Sequence, residues 1–442
     1  MKYLTLLLLI SLVCPAALWA QVPAPGDRQT EPIYLTNVVV HVGDGTVIEK
    51  GVVGFTDGKL TAVGSITTTP VPNGASARDM NGAHVYPSLI APSTSLGLVE
   101  IGAVRATRDE NEVGMLNPNV RSLIAFNTDS RVIPTIRSNG ILLAQITPTG
   151  GRIPGTSSLV HFDAWNWRDA AVLADDGIHL NWPRMTVPAG VDEDEKKKML
   201  KNRAEQLQAL HDLFTEARAY GQIATPAKRN LRLEALSFLW PRQTATTKDL
   251  PQRRLFIDAN DARSILAALN FAMEFDVKPI IVGGADSWLL TDQLKQAGAS
   301  VVYQPTHSLP RRRHEAVDQP YKTPALLHKA GVPFCLSGSG SWDVRNLPFL
   351  AGTAAAYGLD REQAVVAMTS GSARILGIDD QVGTLQVGKA ATLFVSEGDV
   401  LDMRSNNVLH AFVDGREVDL SNKQKELYLK FSKKYGLESP RP

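Results

Sequence analysis

After Pro251 the chain alternates short apolar runs with helical segments. Residues 255–257, 279–282, 300–303 and 332–336 read as strands. Residues 261–275, 286–296 and 321–329 read as the helices between them. Apolar strands separated by helices require a parallel sheet, because each helix carries the chain back across the sheet to start the next strand alongside. The sheet is either doubly wound or closed as a barrel, and periodicity alone does not choose. Ahead of this stretch, residues 192–220 predict a long amphipathic helix. Leu200, Ala204, Leu207, Leu210, Phe214 and Ala217 fall near the 3.6-residue period, and the charge run over 192–198 reads as its solvated first turns.

Both ends of the chain read differently. Residues 33–42, 51–55 and 59–63 are short β-rich runs punctuated by Asp57-Gly58, and residues 392–395 and 408–413 repeat the pattern around Asp414-Gly415. Asp-Gly between such runs marks a hairpin turn. About three short strands cannot cover both faces of a sheet. The two ends are therefore expected to build one small β-domain together, followed by a terminal helix over 423–435.

The first residues carry Lys2, an apolar run over 6–13 and small residues over 16–20, the pattern of a secretory leader cleaved near Ala20. A membrane anchor is the alternative, although the run falls short of the roughly 20 apolar residues that cross a bilayer. Cys14 raises a lipoprotein alternative, with bulky Val13 standing where a small residue is preferred. No later segment is long and apolar enough to span, so the mature protein is expected to be secreted or periplasmic. Loss of Lys2 with the leader leaves 45 basic and 45 acidic residues, which argues against a nucleic-acid surface. Cys335 would then be the sole thiol, with no partner for an internal disulfide.

Five stretches carry a resemblance. Gly82-Ala-His-Val-Tyr-Pro-Ser-Leu-Ile-Ala-Pro-Ser-Thr-Ser-Leu-Gly-Leu98 is similar to the first barrel strand of the amidohydrolase superfamily, where Pro-Gly-Leu-Ile-Asp leads into a His-x-His metal motif. Pro87, Leu89, Ile90, Thr94 and Leu96 fit that pattern. Residues 346–377 and 382–395 resemble the closing segment of the family, with Thr392 in place of an aspartate. Gly383, Gly388 and Lys389 also mimic a phosphate loop, but Ala390 lacks the hydroxyl that would hold magnesium and a strand follows where a helix is needed. Residues 147–159 and 177–183 resemble the secreted, imidazolonepropionase-like branch. The resemblance implies an α/β fold: a (β/α)8 TIM-like barrel with a small composite β-sandwich domain formed by both chain ends. The implied boundaries are 1–20 leader, 31–80 and 384–420 composite β-domain, 81–383 barrel, and 421–442 C-terminal helix and tail.

The same resemblance implies one or two divalent metals, such as zinc, held by the His-x-His pair, two later histidines and an aspartate. Such a metal makes hydroxide available at neutral pH. Here Ser93 and Ser95 stand at the histidine pair and Ala91 at the nearby aspartate. Asp258 falls at the histidine of the fifth strand, Gly283 at that of the sixth, and Ser339 or Gly340 at the terminal aspartate. No histidine lies between His211 and His307, so shifting the alignment restores neither later ligand. The expectation is a degenerate amidohydrolase without a metal cofactor, binding a ligand or a partner such as a metal-active relative. The alternative is a hydrolase of non-peptide carbon–nitrogen bonds working through a non-standard site. His161 and His179 read as structural, with the lining of a surviving pocket as the alternative. His307 and His314 bracket Arg311-Arg-Arg313, read as a solvated loop that could also meet an anionic ligand. His41, His84, His211, His328 and His410 show no ligand-like spacing. Ser93-Thr94-Ser95 lacks the Gly-x-Ser-x-Gly elbow of a nucleophile, and Cys335 reads as a small core residue.

Overall fold

The computed structural model describes residues 24–241 and 252–437, so the leader reading and the last residues of the tail lie outside it. Strands β1 (Ile33–His41), β2 (Val47–Thr56) and β3 (Lys59–Ser65) form an antiparallel meander. Asp57 (φ +46°) and Gly58 (φ +76°) make the tight turn between β2 and β3, a geometry that needs two positive φ angles in succession. Strands β4 (Ser76–Asp79) and β5 (His84–Pro87) run parallel to β1 along its other side.

A second sheet follows in the order of the chain: β6 (Leu89–Thr94), β7 (Ile141–Ile146), β8 (Gly155–His161), β9 (Ala171–Asn181), β10 (Arg254–Ala259), β11 (Pro279–Gly283), β12 (Ser300–Tyr303) and β13 (Phe334–Leu336). These eight strands make a nearly closed barrel. The all-parallel expectation is corrected at one strand: β8 runs antiparallel to both β7 and β9, while the other seven share one direction. The loops on either side of β8 explain the reversal. Each is shorter than the dozen or so residues that a parallel crossover needs.

The barrel stops short of full closure for a local reason. Ile90 N–H of β6 donates to the Met368 carbonyl (2.9 Å), and Leu336 N–H of β13 donates to the neighbouring Ala367 carbonyl (3.0 Å). The chain at 367–368 thus takes up ladder positions that the first and last strands would otherwise offer each other. Nearer the C-terminal ends, Ser337 Oγ donates to the Pro92 carbonyl and draws the two strands together.

The helices used below are α1 (Ile133–Arg137), α2 (Glu193–Tyr220), α3 (Ala262–Glu274), α4 (Gln319–Ala330), α5 (Leu347–Ala356), α6 (Arg361–Val366), α7 (Ser370–Leu376) and α8 (Lys423–Tyr435). In α3, Ile265, Ala268, Leu269 and Ala272 are buried at helical spacing, and the Asp261 carboxylate caps the helix by accepting from Ser264 N–H at 3.0 Å. Burial of each large aliphatic side chain contributes roughly 2 kcal/mol. Helix α2 buries only Leu210, Phe214 and Ala217, so its first turns project outward and carry the charge run.

Strands β14 (Leu393–Ser396), β15 (Val408–Val413) and β16 (Arg416–Glu417) return to the first sheet, with β14 pairing antiparallel to β5 from Leu393↔Pro87 to Ser396↔His84. The sandwich expectation is corrected to one continuous sheet that curls on itself. Leu60 N–H donates to the Lys389 carbonyl (2.9 Å) and Gly388 N–H to the Leu60 carbonyl (2.8 Å), which ties the β3 edge to the chain before β14. Inside the curl, Leu35, Phe55, Leu60, Val85, Leu393 and Phe412 pack together.

Asp163 joins the parts. Its buried carboxylate accepts from Gly26 N–H at 3.0 Å, lies 3.1 Å from Arg416 Nε and 3.9 Å from Arg137 Nη1. Arg137 also donates to the Phe162 carbonyl (2.9 Å). The N-terminal segment, the β16 strand and helix α1 therefore meet on one charge. Breaking such a buried pair by removing one partner costs about 3–5 kcal/mol.

Candidate functional site

The C-terminal ends of the parallel strands form the mouth of the barrel, where a fold of this kind places its chemistry. At the end of β6, Ser93 adopts φ +52°, an unusual backbone for a residue with a side chain. Two glutamines hold it there. Ser93 N–H donates to Gln145 Oε1 (3.1 Å), and Gln304 Nε2 donates to the Ser93 carbonyl (3.4 Å). Thr94 Oγ1 donates to the Gly340 carbonyl, and Ser95 N–H donates to the same oxygen at 3.3 Å. Ser93 and Ser95 are thus gathered beside the loop that carries exposed Ser339 and Gly340.

Asp258 and Gly283 meet on the opposite wall. β10 and β11 pair with Asp258 opposite Val282 and Ala259 opposite Gly283. Asp258 is solvent-exposed in the mouth, yet surrounding protein disfavours its charge and raises its carboxyl above the usual range. Both observations fit a group on the wall of a concavity. Asn260 Nδ2 donates to Asp258 Oδ1 at 3.3 Å. Gly283 has φ +88°, and a Cβ there would lie 2.4 Å from Asn260 Oδ1. A residue with a side chain would be strained at that φ and would have to displace the Asn260 amide.

Beneath the mouth lies a polar cluster that the sequence reading missed. Gln145 Nε2 donates to Asp176 Oδ2 (2.7 Å) and Ser157 Oγ (3.1 Å), and Ser157 Oγ donates to Asp176 Oδ1 (2.8 Å). All three residues are buried. Burial pushes the Asp176 carboxyl up to about 6, against the pull of its hydrogen bonds and of Arg254. One available signal was a glutamine inside the otherwise apolar run 141–146. A polar residue facing a barrel interior needs a partner there.

The histidines go to separate places. His179 is buried within the barrel, its ring stacked on Phe256 at 4.7 Å and 3°. Its Nε2 is buried without a hydrogen-bond partner, and burial depresses the imidazole to about 3. His161 lies at the far end of the reversed strand β8. It accepts from Asp163 N–H at 3.3 Å and faces the charges of Asp414 and Arg416, so it meets the curled sheet and not the mouth. His307 is exposed and bonded to Thr353 of α5 at 2.7 Å. Arg312 is not merely solvated, since it pairs with buried Asp286 and with Glu315. His41 and His84, scattered in the sequence, come within 2.9 Å of each other. His41 Nδ1 also bonds Glu362 of α6 at 2.8 Å. Cys335 is fully buried, its thiol pushed up to about 12.

The loop over residues 147–154 covers part of the mouth. Asn181 Nδ2 donates to the Gly151 carbonyl at 3.0 Å, and Thr149 N–H donates to the Glu110 carbonyl at 2.6 Å. Among the described residues, no three His, Cys, Asp or Glu side chains gather as they would around an ion. At the strand ends where the family motif would place ligands, Asp258 is the one strong donor, and that set does not fit a hydrolytic metal.

Comparison with known proteins agrees with this architecture. Residues 264–418, from within α3 through β16, match the Amidohydrolase family. No curated protein matches the sequence. Among solved structures, an amidohydrolase from Thermotoga maritima superposes with a TM-score of 0.73 at 23% identity, covering 88% of this chain and 99% of its own. Molinate hydrolase superposes with a TM-score of 0.55 at 16% identity, covering 90% of this chain and 95% of its own. Phenylurea hydrolase B gives 0.54 at 15% identity, covering 88% and 97%. At these identities the likeness is one of fold.

Proposed function

We propose that this chain is a degenerate member of the amidohydrolase superfamily, of the secreted imidazolonepropionase-like branch. In this reading the barrel mouth binds a small molecule or a partner protein without metal-dependent hydrolysis. The observation that carries the reading is the donor set at the strand ends. Ser93, Ser95, Asp258, Gly283 and Ser339 stand where the family motif calls for ligands, and one of the five is a carboxylate. A hydrolytic zinc takes about three protein ligands and keeps a fourth position open for water. The positive φ of Gly283 strains any other residue there, which supports the absence of a side-chain ligand at one of those positions. A metal-active relative is a natural candidate for the partner, since a retained scaffold keeps the surfaces of the family.

A second reading rests on Asp258. A carboxyl in a mouth, with its proton held more tightly than usual, has the character of a general base or acid. That reading makes the chain a hydrolase of non-peptide carbon–nitrogen bonds without a metal. Elemental analysis of the purified protein, together with hydrolase assays on cyclic amides and amidines with and without chelator, separates the two. The first reading expects neither bound zinc nor turnover. Turnover insensitive to chelator and abolished by Asp258→Asn would favour the second. Zinc lost together with activity on chelation would overturn both.

A further inference from the structure

Helix α8 does little of what a terminal helix ordinarily does for its own fold. It is well made: the Asn422 side chain caps it by accepting from Lys425 N–H (2.9 Å), and Gly436 ends it at φ +63°. One hydrogen bond ties it to the barrel, from Thr135 Oγ1 to Gln424 Oε1 at 2.7 Å. Yet Ser432 is its only buried residue.

The remaining side chains sort into stripes. At about 100° per residue, Lys423, Lys430 and Lys434 lie opposite Ser432. Leu427, Phe431 and Tyr435 follow one another at i, i+4 spacing on the adjoining flank. Leu427, Phe431 and Tyr435 are 38%, 45% and 65% exposed, and exposed Tyr428 lies beside Tyr435 on the same flank. The Lys434 ammonium lies 5.1 Å from the Tyr435 ring and 6.0 Å from that of Phe431, and Lys430 lies 6.0 Å from Phe431. Within the helix five lysines face one glutamate, although the whole chain is nearly neutral. An aromatic and aliphatic stripe bordered by lysines on long aliphatic stems is complementary to an interface that is apolar on one side and anionic on the other. No helix among the described residues is long and apolar enough to cross a membrane, so this geometry concerns a surface and not a span.

We propose that α8 docks the protein on an anionic lipid bilayer. Leu427, Phe431 and Tyr435 enter the boundary between headgroups and acyl chains, and Lys423, Lys430 and Lys434 meet the lipid phosphates. Each lysine near such a surface contributes about 1 kcal/mol, and the attraction weakens with salt.

The test is co-sedimentation of the full chain with vesicles of equal parts phosphatidylglycerol and phosphatidylcholine, against vesicles of phosphatidylcholine alone. The natural sequence is expected to prefer the anionic vesicles and to release as salt rises. The double variant Lys430→Glu, Lys434→Glu is expected to lose at least roughly tenfold in affinity. The double variant Leu427→Ser, Phe431→Ser is expected to lose binding as well. All four positions are exposed, and an unchanged circular dichroism spectrum verifies the fold. The leader segment is common to every variant, so differences between them report on α8. Equal binding by the natural sequence and both variants, or binding to neither vesicle, would overturn the proposal. So would a dimer in solution that the serine variant dissociates while vesicles leave the natural sequence unbound.

Discussion

At the scale of single residues, His179 occupies a place that tolerates a neutral imidazole and penalises a charged one. Its folded-state pKa is about 3 against an ordinary 6.5. Between those values the unfolded chain holds a proton that the native chain does not, so stability is present above about pH 6.5 and lost as the pH falls below it. Asp176 acts with the opposite sign. Its pKa is raised to about 6, so it lowers stability as the pH rises from 3.8 towards that value. The histidine shift is the larger of the two, and it alone reaches up to neutral pH. Between about pH 7.5 and pH 5 it removes on the order of 2 kcal/mol. Thermal melts of His179→Leu should therefore show a smaller loss on acidification than the natural sequence, and an equal loss would refute this placement. Ser93 and Ser95 were legible as residues at the end of an apolar strand, and they lie at the end of β6. The Gln145–Ser157–Asp176 cluster was not, because its members are far apart in sequence and only strand pairing brings them together.

At the scale of elements, the strands after Pro251 were legible to within a residue or two, because each is a short apolar run bounded by helix caps. Those runs are the buried walls of the barrel, and burial on both faces is what removes polar residues from them. The reversed strand β8 was harder, although the sequence held a physical hint. Neither connection around it can contain a crossover helix, and a strand joined by short loops must turn back on its neighbour. Helix α2 shows the converse limit. Its apolar spacing extends over the whole helix, but only the half near Leu210, Phe214 and Ala217 finds a surface to bury against. Periodicity identifies a helix and says nothing of how much of its stripe is covered. The same limit applies to α8, whose lysines and aromatics were visible in the sequence while their exposure was not.

At the scale of the molecule, the curled sheet depends on both chain ends. β14 lies between β5 and β15, and Leu393, Val395 and Phe412 fill one side of the core around Leu35 and Phe55. A chain ending after Leu376 would expose the β5 edge and open that core. It would also strand the Asp163 carboxylate without Arg416. Such a truncation is expected to unfold the first segment as well, seen as rapid proteolysis within residues 33–65. Survival of that segment as a protease-resistant unit would contradict the account. At the C-terminal ends of the barrel strands, Ser93, Ser95, Asp258, Gly283 and Ser339 offer one carboxylate among five residues. Titrating zinc into the purified protein tests this most directly. The account predicts no saturable uptake by the natural sequence. It predicts only weak uptake by Ser93→His, Ser95→His, because the other half of a zinc cage is still missing. Tight uptake of roughly one equivalent by the natural sequence, accompanied by hydrolase activity, would contradict it.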